Sequence, residues 1–180
     1  MIVIHKQDLD VRQVRCPNNT EFIAVLVACQ GKKPLIICAA YRPPDRDRGY
    51  MANLCSAIRD VHDSFPGHAI WCGGDFNLPD INWMDESTQG NRYPNEINKS
   101  LLDLLHDLNL TQVVTFPTRI NNTLEILFSN RPNLVHKLNP VPGISDHDSI
   151  AQAEIDCLAQ VRRPVKRKIF LWVDFLKRTS

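Results

Sequence analysis

The chain has 180 residues, 43% hydrophobic and 23% charged, with a formal net charge of +1. This is an ordinary composition for one soluble globular domain with a sizeable core. No apolar run approaches the roughly 18 residues of a spanning helix. Met1-Ile2-Val3-Ile4-His5-Lys6 lacks the length and charged region of a signal peptide, so an intracellular protein with no membrane partner is expected.

Short apolar, partly β-branched runs at Ile2–Ile4, Phe22–Ala28, Leu35–Tyr41 and Ala69–Gly73, bounded by polar or Pro/Gly segments, predict core strands. Between the last two, Tyr50, Leu54, Ile58, Val61 and Phe65 recur at spacings of three and four, predicting a helix that ends at Pro66-Gly67. Ile97, Leu101, Leu104, Leu105 and Leu108 predict a second helix. Gln112–Phe116, Leu124–Phe128 and Ile150–Ile155 predict further strands, giving an α/β or α+β chain rich in sheet.

Charge and cysteine are informative mainly by exclusion. Residues 158–180 carry seven Lys and Arg against one Asp, leaving 14 basic against 19 acidic residues, a net of −5, in residues 1–157. A body of that sign does not announce nucleic-acid binding, so a phosphate-handling site within it needs local Arg or Lys, or a bound cation. The expected organisation is a domain over residues 1–157 and a basic tail or linker over 158–180. Each basic residue of that tail near a phosphate would add sequence-independent affinity. The six cysteines form no C-x-x-C pair and have no His at zinc-finger spacing, which supports neither a zinc site nor a disulfide framework.

Two motifs carry chemistry. In Gly73-Gly74-Asp75-Phe76-Asn77 a carboxylate and an amide leave the C-terminal end of a strand, where open sheets place ligands, and such a pair can orient a water for attack. Ser145-Asp146-His147 sets a hard carboxylate ligand beside an imidazole at a second sheet edge. Phosphodiester hydrolysis needs a nucleophilic water, neutralised phosphoryl oxygens and help for the departing oxygen. Asp146 has the chemistry to hold a divalent ion and His147 to contact a phosphate.

With these motifs in hand, the chain resembles the endonuclease/exonuclease/phosphatase, or DNase I-like, superfamily, in the apurinic-endonuclease-like branch of non-LTR retrotransposons. Ala40-Tyr41-Arg42-Pro43-Pro44, Gly73–Trp83, Phe116-Pro117-Thr118-Arg119, Leu124–Asn130 and Ser145-Asp146-His147 are similar to that branch's blocks, in its order. The resemblance implies a four-layer α/β sandwich: two mixed sheets face to face with helices outside, its first strands missing. It implies a DNA-nicking endonuclease using Mg²⁺ or Mn²⁺, acting by attack of water on phosphorus and nuclear where the target is genomic DNA. Tyr41 would contact the scissile phosphate, Asp75 would position or activate the water, and Asn77 would hold that geometry. Asp146 would bind the metal, His147 the phosphate, and Arg119 the nucleic acid.

Two departures from the family pattern stand out. Glu125, in Leu124-Glu125-Ile126, occupies the place of an Asp that pairs with the site histidine, and its side chain reaches one methylene further. The family's opening strands, one with an Asn and one with a metal-binding Glu, would precede Met1, and neither Glu21 nor Glu96 has the context to replace that Glu. The chain is therefore expected to be a 5′-truncated piece of a retroelement reading frame that continues toward a reverse transcriptase. The alternatives are a catalytically dead nucleic-acid-binding module and a phosphoesterase acting on a small phosphoester. The sequence does not fix an oligomeric state, and a monomer is the default.

Overall fold

The structure, a computed structural model, describes residues 2, 9–17, 19–29, 33–141, 150–155 and 167–168. Its main element is a mixed six-stranded sheet. Strands β1 (Leu9–Val14), β2 (Glu21–Cys29) and β3 (Leu35–Tyr41) pair antiparallel in sequence order. Helix α1 (Arg48–Ser64) then crosses over, so that β4 (Ala69–Asp75) runs parallel to β3. After the small hairpin of β5 (Ile81–Asn82) and β6 (Ser87–Thr88) comes α2 (Asn95–Asp107). The sheet is completed by β7 (Thr111–Gln112) and β8 (Glu125–Ser129), in the order β1-β2-β3-β4-β8-β7. A separate sheet holds β9 (Val135–Val141), β10 (Ile150–Ile155) and β11 (Arg167–Lys168), in the order β11-β10-β9.

Period-two alternation divides the six-stranded sheet into two working faces. Phe22, Ala24, Ile36, Cys38, Ala40, Ile70, Cys72, Ile126 and Phe128 point to one side and pack with Met51, Leu54, Ile58, Leu101 and Leu104 of the helices. On the other side Trp71, Leu127 and Val114 pack with Leu134 and with Val135 and Leu138 of β9. Because β3 and β4 are covered on both faces, they read as continuous apolar runs.

The helices form for local reasons. Asp47 accepts from the Tyr50 amide at 3.0 Å as the N-cap of α1, and Gly67 adopts a positive φ of 77° just beyond its end. Apolar residues at Met51, Leu54, Ala57, Ile58 and Val61 make its buried stripe, with Tyr50 and Phe65 only partly buried at its margins. Helix α2 buries Ile97, Asn98, Leu101, Leu104 and Leu105, and Asn109, with φ 50°, turns the chain away from it.

Two expected strands differ. The run Gln112–Phe116 contributes only Gln112 to the sheet, in the two-residue strand Thr111–Gln112, and the Gln112 side-chain amide instead bonds both backbone groups of Val114. In the run Ile2–Ile4, Val3 and Ile4 lie outside the described residues, and Ile2 is in no strand. Arg167 and Lys168, within the basic segment, pair with Ile155 and Glu154. No helix among the described residues is long and apolar enough to cross a membrane.

Candidate functional site

Register places four expected or neighbouring groups in one row. Glu21 at the start of β2 is opposite Tyr41 at the end of β3, Tyr41 is opposite Asp75 at the end of β4, and Asp75 is opposite Glu125 at the start of β8. Direct partners share a face, so all four side chains leave the sheet on the side opposite the helices. That face is shared with Trp71, Leu127 and β9, at the end of the sheet where β3 and β4 terminate.

Asp75 is 3% exposed and fixes the loop that follows it: its carboxylate Oδ1 accepts the Asn77 amide at 3.0 Å, and the Phe76 amide donates to the Leu124 carbonyl at 3.0 Å. Asn77 adopts φ 49°, a left-handed conformation that asparagine tolerates better than most side chains. Its side-chain Nδ2 donates to the Arg42 carbonyl at 2.9 Å, joining the exit of β4 to the exit of β3. Tyr41 is half-buried, and burial raises its pKa, with the nearby Asp75, Asp45, Tyr50 and Glu21 acting in the same direction. Its phenol therefore holds its proton to higher pH than a free tyrosine does.

Glu125 is set by the block that precedes it. The Thr118 hydroxyl, fully buried, accepts the amides of Leu124 and Glu125 at 2.9 and 3.1 Å. Thr118 and Arg119 both donate their amides to the Asn122 carbonyl at 2.9 Å, closing a tight turn whose Ile120 has φ 55°. Arg119 stands on that turn, and its guanidinium makes no ion pair among the described residues. Beside this turn a groove of about 660 Å³ runs between Pro79–Met84 and Phe116–Thr123, its wall closed by a 3.3 Å bond from the Trp83 indole to the Thr123 carbonyl.

Tyr41, Asp75, Asn77 and Glu125 are thus brought together, whereas Asp146 and His147 lie outside the described residues. Several residues that hold this arrangement went unremarked in the sequence reading. Thr118 lies in a noted block, yet nothing in sequence marks a threonine that accepts two amides. Tyr50 reads as part of an apolar stripe, but its hydroxyl donates to the Tyr41 carbonyl and accepts the Glu21 amide. Asp80 was visible only as part of the Gly73–Trp83 block, and it accepts the Tyr93 amide at 2.9 Å.

A sequence profile described as endonuclease–reverse transcriptase matches residues 35–151. The chain belongs to the endonuclease–reverse transcriptase family. Within solved structures, this family member is similar to the endonuclease domain of TRAS1, a telomere-specific non-LTR retrotransposon, with a TM-score of 0.60 and 19% identity over 78% of this chain. It spans 64% of the length of that domain. Weaker likenesses are the human Nocturnin catalytic domain (TM-score 0.45, 15% identity, 79% of this chain and 56% of that one) and an inositol polyphosphate 5-phosphatase domain of spsynaptojanin (0.48, 14%, 81% and 54%). No curated protein matches the sequence. The fold of this endonuclease–reverse transcriptase family member is DNase I-like, an α/β arrangement with a mixed six-stranded sheet.

The donor chemistry of the row suits a hard divalent cation. Asp75 and Glu125 offer carboxylate oxygens, and Asn77, just beyond the row, an amide oxygen, the ligand class of Mg²⁺ and Mn²⁺. Among the described residues no three of His, Cys, Asp and Glu converge to hold an ion by themselves.

Proposed function

We propose that the chain is the phosphodiester-cleaving part of a retrotransposon-type endonuclease, nicking DNA by direct attack of water on phosphorus. The observation that carries this reading is the Tyr41–Asp75–Glu125 row, ending on one face at one edge of a DNase I-like sheet. In this reading Asp75, buried and held in a turn with Asn77, orients and deprotonates the attacking water. Tyr41, whose raised pKa keeps it protonated, donates to a non-bridging phosphate oxygen. His147 binds the phosphate, and Glu125 is the acid that pairs with His147. Arg119 contacts the DNA backbone from its turn. A Mg²⁺ or Mn²⁺ ion held by Asp146 would neutralise charge developing on the phosphoryl oxygens.

The test is nicking of supercoiled plasmid with Mg²⁺ by the full chain, alongside a soluble phosphoester. Wild-type nicking that is lost with EDTA and with Asp75→Ala, and no hydrolysis of the small ester, is the expected result. Metal-independent DNA binding without nicking would replace this reading with that of a binding module.

A further inference from the structure

Arg42 is fully buried, yet no carboxylate lies within salt-bridge distance of it among the described residues. An unpaired buried guanidinium is costly, so an apolar side chain would serve packing better. What Arg42 has instead is a set of directed contacts to two loops. Its backbone amide donates to the Asp75 carbonyl at 2.9 Å, and its carbonyl accepts Asn77 Nδ2 at 2.9 Å. Its Nη1 donates to the Asn77 carbonyl at 3.3 Å and its Nη2 to the Arg46 carbonyl at 2.7 Å. The guanidinium plane lies under the Tyr93 ring, 4.5 Å from its centroid, and Tyr93 is itself anchored through Asp80.

We propose that Arg42 is a positioning residue for Asn77: its planar fork links the Asn77 carbonyl, through Nη1, to the Arg46 carbonyl, through Nη2, while the backbone of Arg42 holds the Asp75 carbonyl and the Asn77 side chain. Asparagine tolerates the left-handed region better than most residues, yet a non-glycine residue there still costs free energy, which contacts on both sides of Asn77 offset. A lysine cannot take this place, since a point charge does not reproduce two donors at a fixed angle. Where no acid of the described residues meets the cation, its charge is spread over a ring face and two carbonyls, with Nε alone left without a hydrogen bond. The catalytic consequence rests on the nuclease reading above, whereas the clamp on Asn77 does not.

The experiment compares full-length wild type, Arg42→Lys, Asn77→Ala and the double variant, measuring kcat and KM for plasmid nicking together with amide exchange of the Asn77 N–H by NMR. With Tyr41 and Asp75 in place, Arg42→Lys is expected to lower kcat by about 100-fold, the scale of a small misplacement of a catalytic group, with KM nearly unchanged. The double variant should be no slower than Asn77→Ala alone, because Arg42 acts through Asn77. A loss that multiplies with that of Asn77→Ala, or one confined to KM, overturns the proposal. If wild type does not nick, the nuclease reading fails separately and exchange decides: faster exchange of the Asn77 amide in Arg42→Lys, with β8 amides unchanged, upholds the clamp, and unaltered exchange ends it. Should Arg42→Lys not fold, Arg42→Met, which keeps the backbone contacts of residue 42 and removes both side-chain donors, is measured in its place against the same criteria.

Discussion

The hydroxyl of Tyr50 donates to the carbonyl of Tyr41 at 2.9 Å while accepting the amide of Glu21 at 2.8 Å, so one phenol in the first turn of α1 ties together the ends of β2 and β3. Removing that oxygen leaves the ring in place and frees the backbone that carries Tyr41. Tyr50→Phe is expected to cost about 1 kcal/mol, read as a lower urea midpoint at constant m-value. Nicking should fall by more than the change in folded fraction. An unchanged midpoint and rate would show that water replaces the phenol oxygen without loss.

Thr118 offers a sharper case, because its hydroxyl accepts two amides while fully buried. Thr118→Val keeps the shape and leaves both amides at the head of β8 without that acceptor, a loss of roughly 2 kcal/mol. Thr118→Ser, which retains the oxygen, should lose less than half as much. Equal losses in the two variants would assign the effect to the methyl group rather than the hydroxyl.

Gly74 and Gly67 should respond to the same substitution in different ways. A Cβ on Gly74 would stand 1.8 Å from the carbonyl oxygen of Ala40, its register partner in β3, and backbone cannot step aside as a side chain can. Gly74→Ala is expected to cost at least about 3 kcal/mol by forcing β3 and β4 apart. At Gly67 nothing lies within 4 Å, and only the positive φ of 77° opposes a side chain. Gly67→Ala should therefore cost about 1 kcal/mol. Thermal melts of the two variants test this ordering.

Alkaline pH should weaken the fold. Burial pushes the Cys55 thiol from its ordinary 9.0 up to about 12, and burial likewise raises Cys72, Tyr41 and Tyr50. A raised pKa means the folded state holds the proton more tightly than the unfolded chain. This contribution is complete below pH 9 and is lost as pH climbs from 9.0 toward about 12. Urea midpoints should fall steadily across that window, and Cys55→Ala should flatten part of the slope. A midpoint independent of pH would contradict it.

Much of this was legible in sequence where one signal dominated. The helices α1 and α2 followed from apolar spacing, and β3 and β4 from unbroken apolar runs, because strands covered on both faces need no alternation. Strand β1 was missed because Leu9–Val14 mixes apolar residues with Asp10, Arg12 and Gln13, as suits a strand with one neighbour among the described residues. Strand β9 was missed because Val135–Val141 contains His, Lys, Asn and Pro. Of the candidate site, Tyr41, Asp75, Asn77 and Glu125 were expected from their blocks, but not that Glu125 is the direct register partner of Asp75. Register depends on pairing between distant segments, and so does the part played by Arg42, whose partners are backbone atoms with no residue signature.

The row of Glu21, Tyr41, Asp75 and Glu125 also constrains when the site can exist. Each member comes from a different strand, and the last of them enters only when β8 zips onto β4. During synthesis from the N-terminus, β2, β3 and β4 can pair while Glu125 is still within the ribosome, so a half-made chain holds three of the four groups and none of the enclosure that Thr118 and Leu124 provide. Long-range pairings of this kind form late and slowly. A nascent or partly unfolded copy therefore carries the residues of the row without the row itself, which is complete only when the sheet closes.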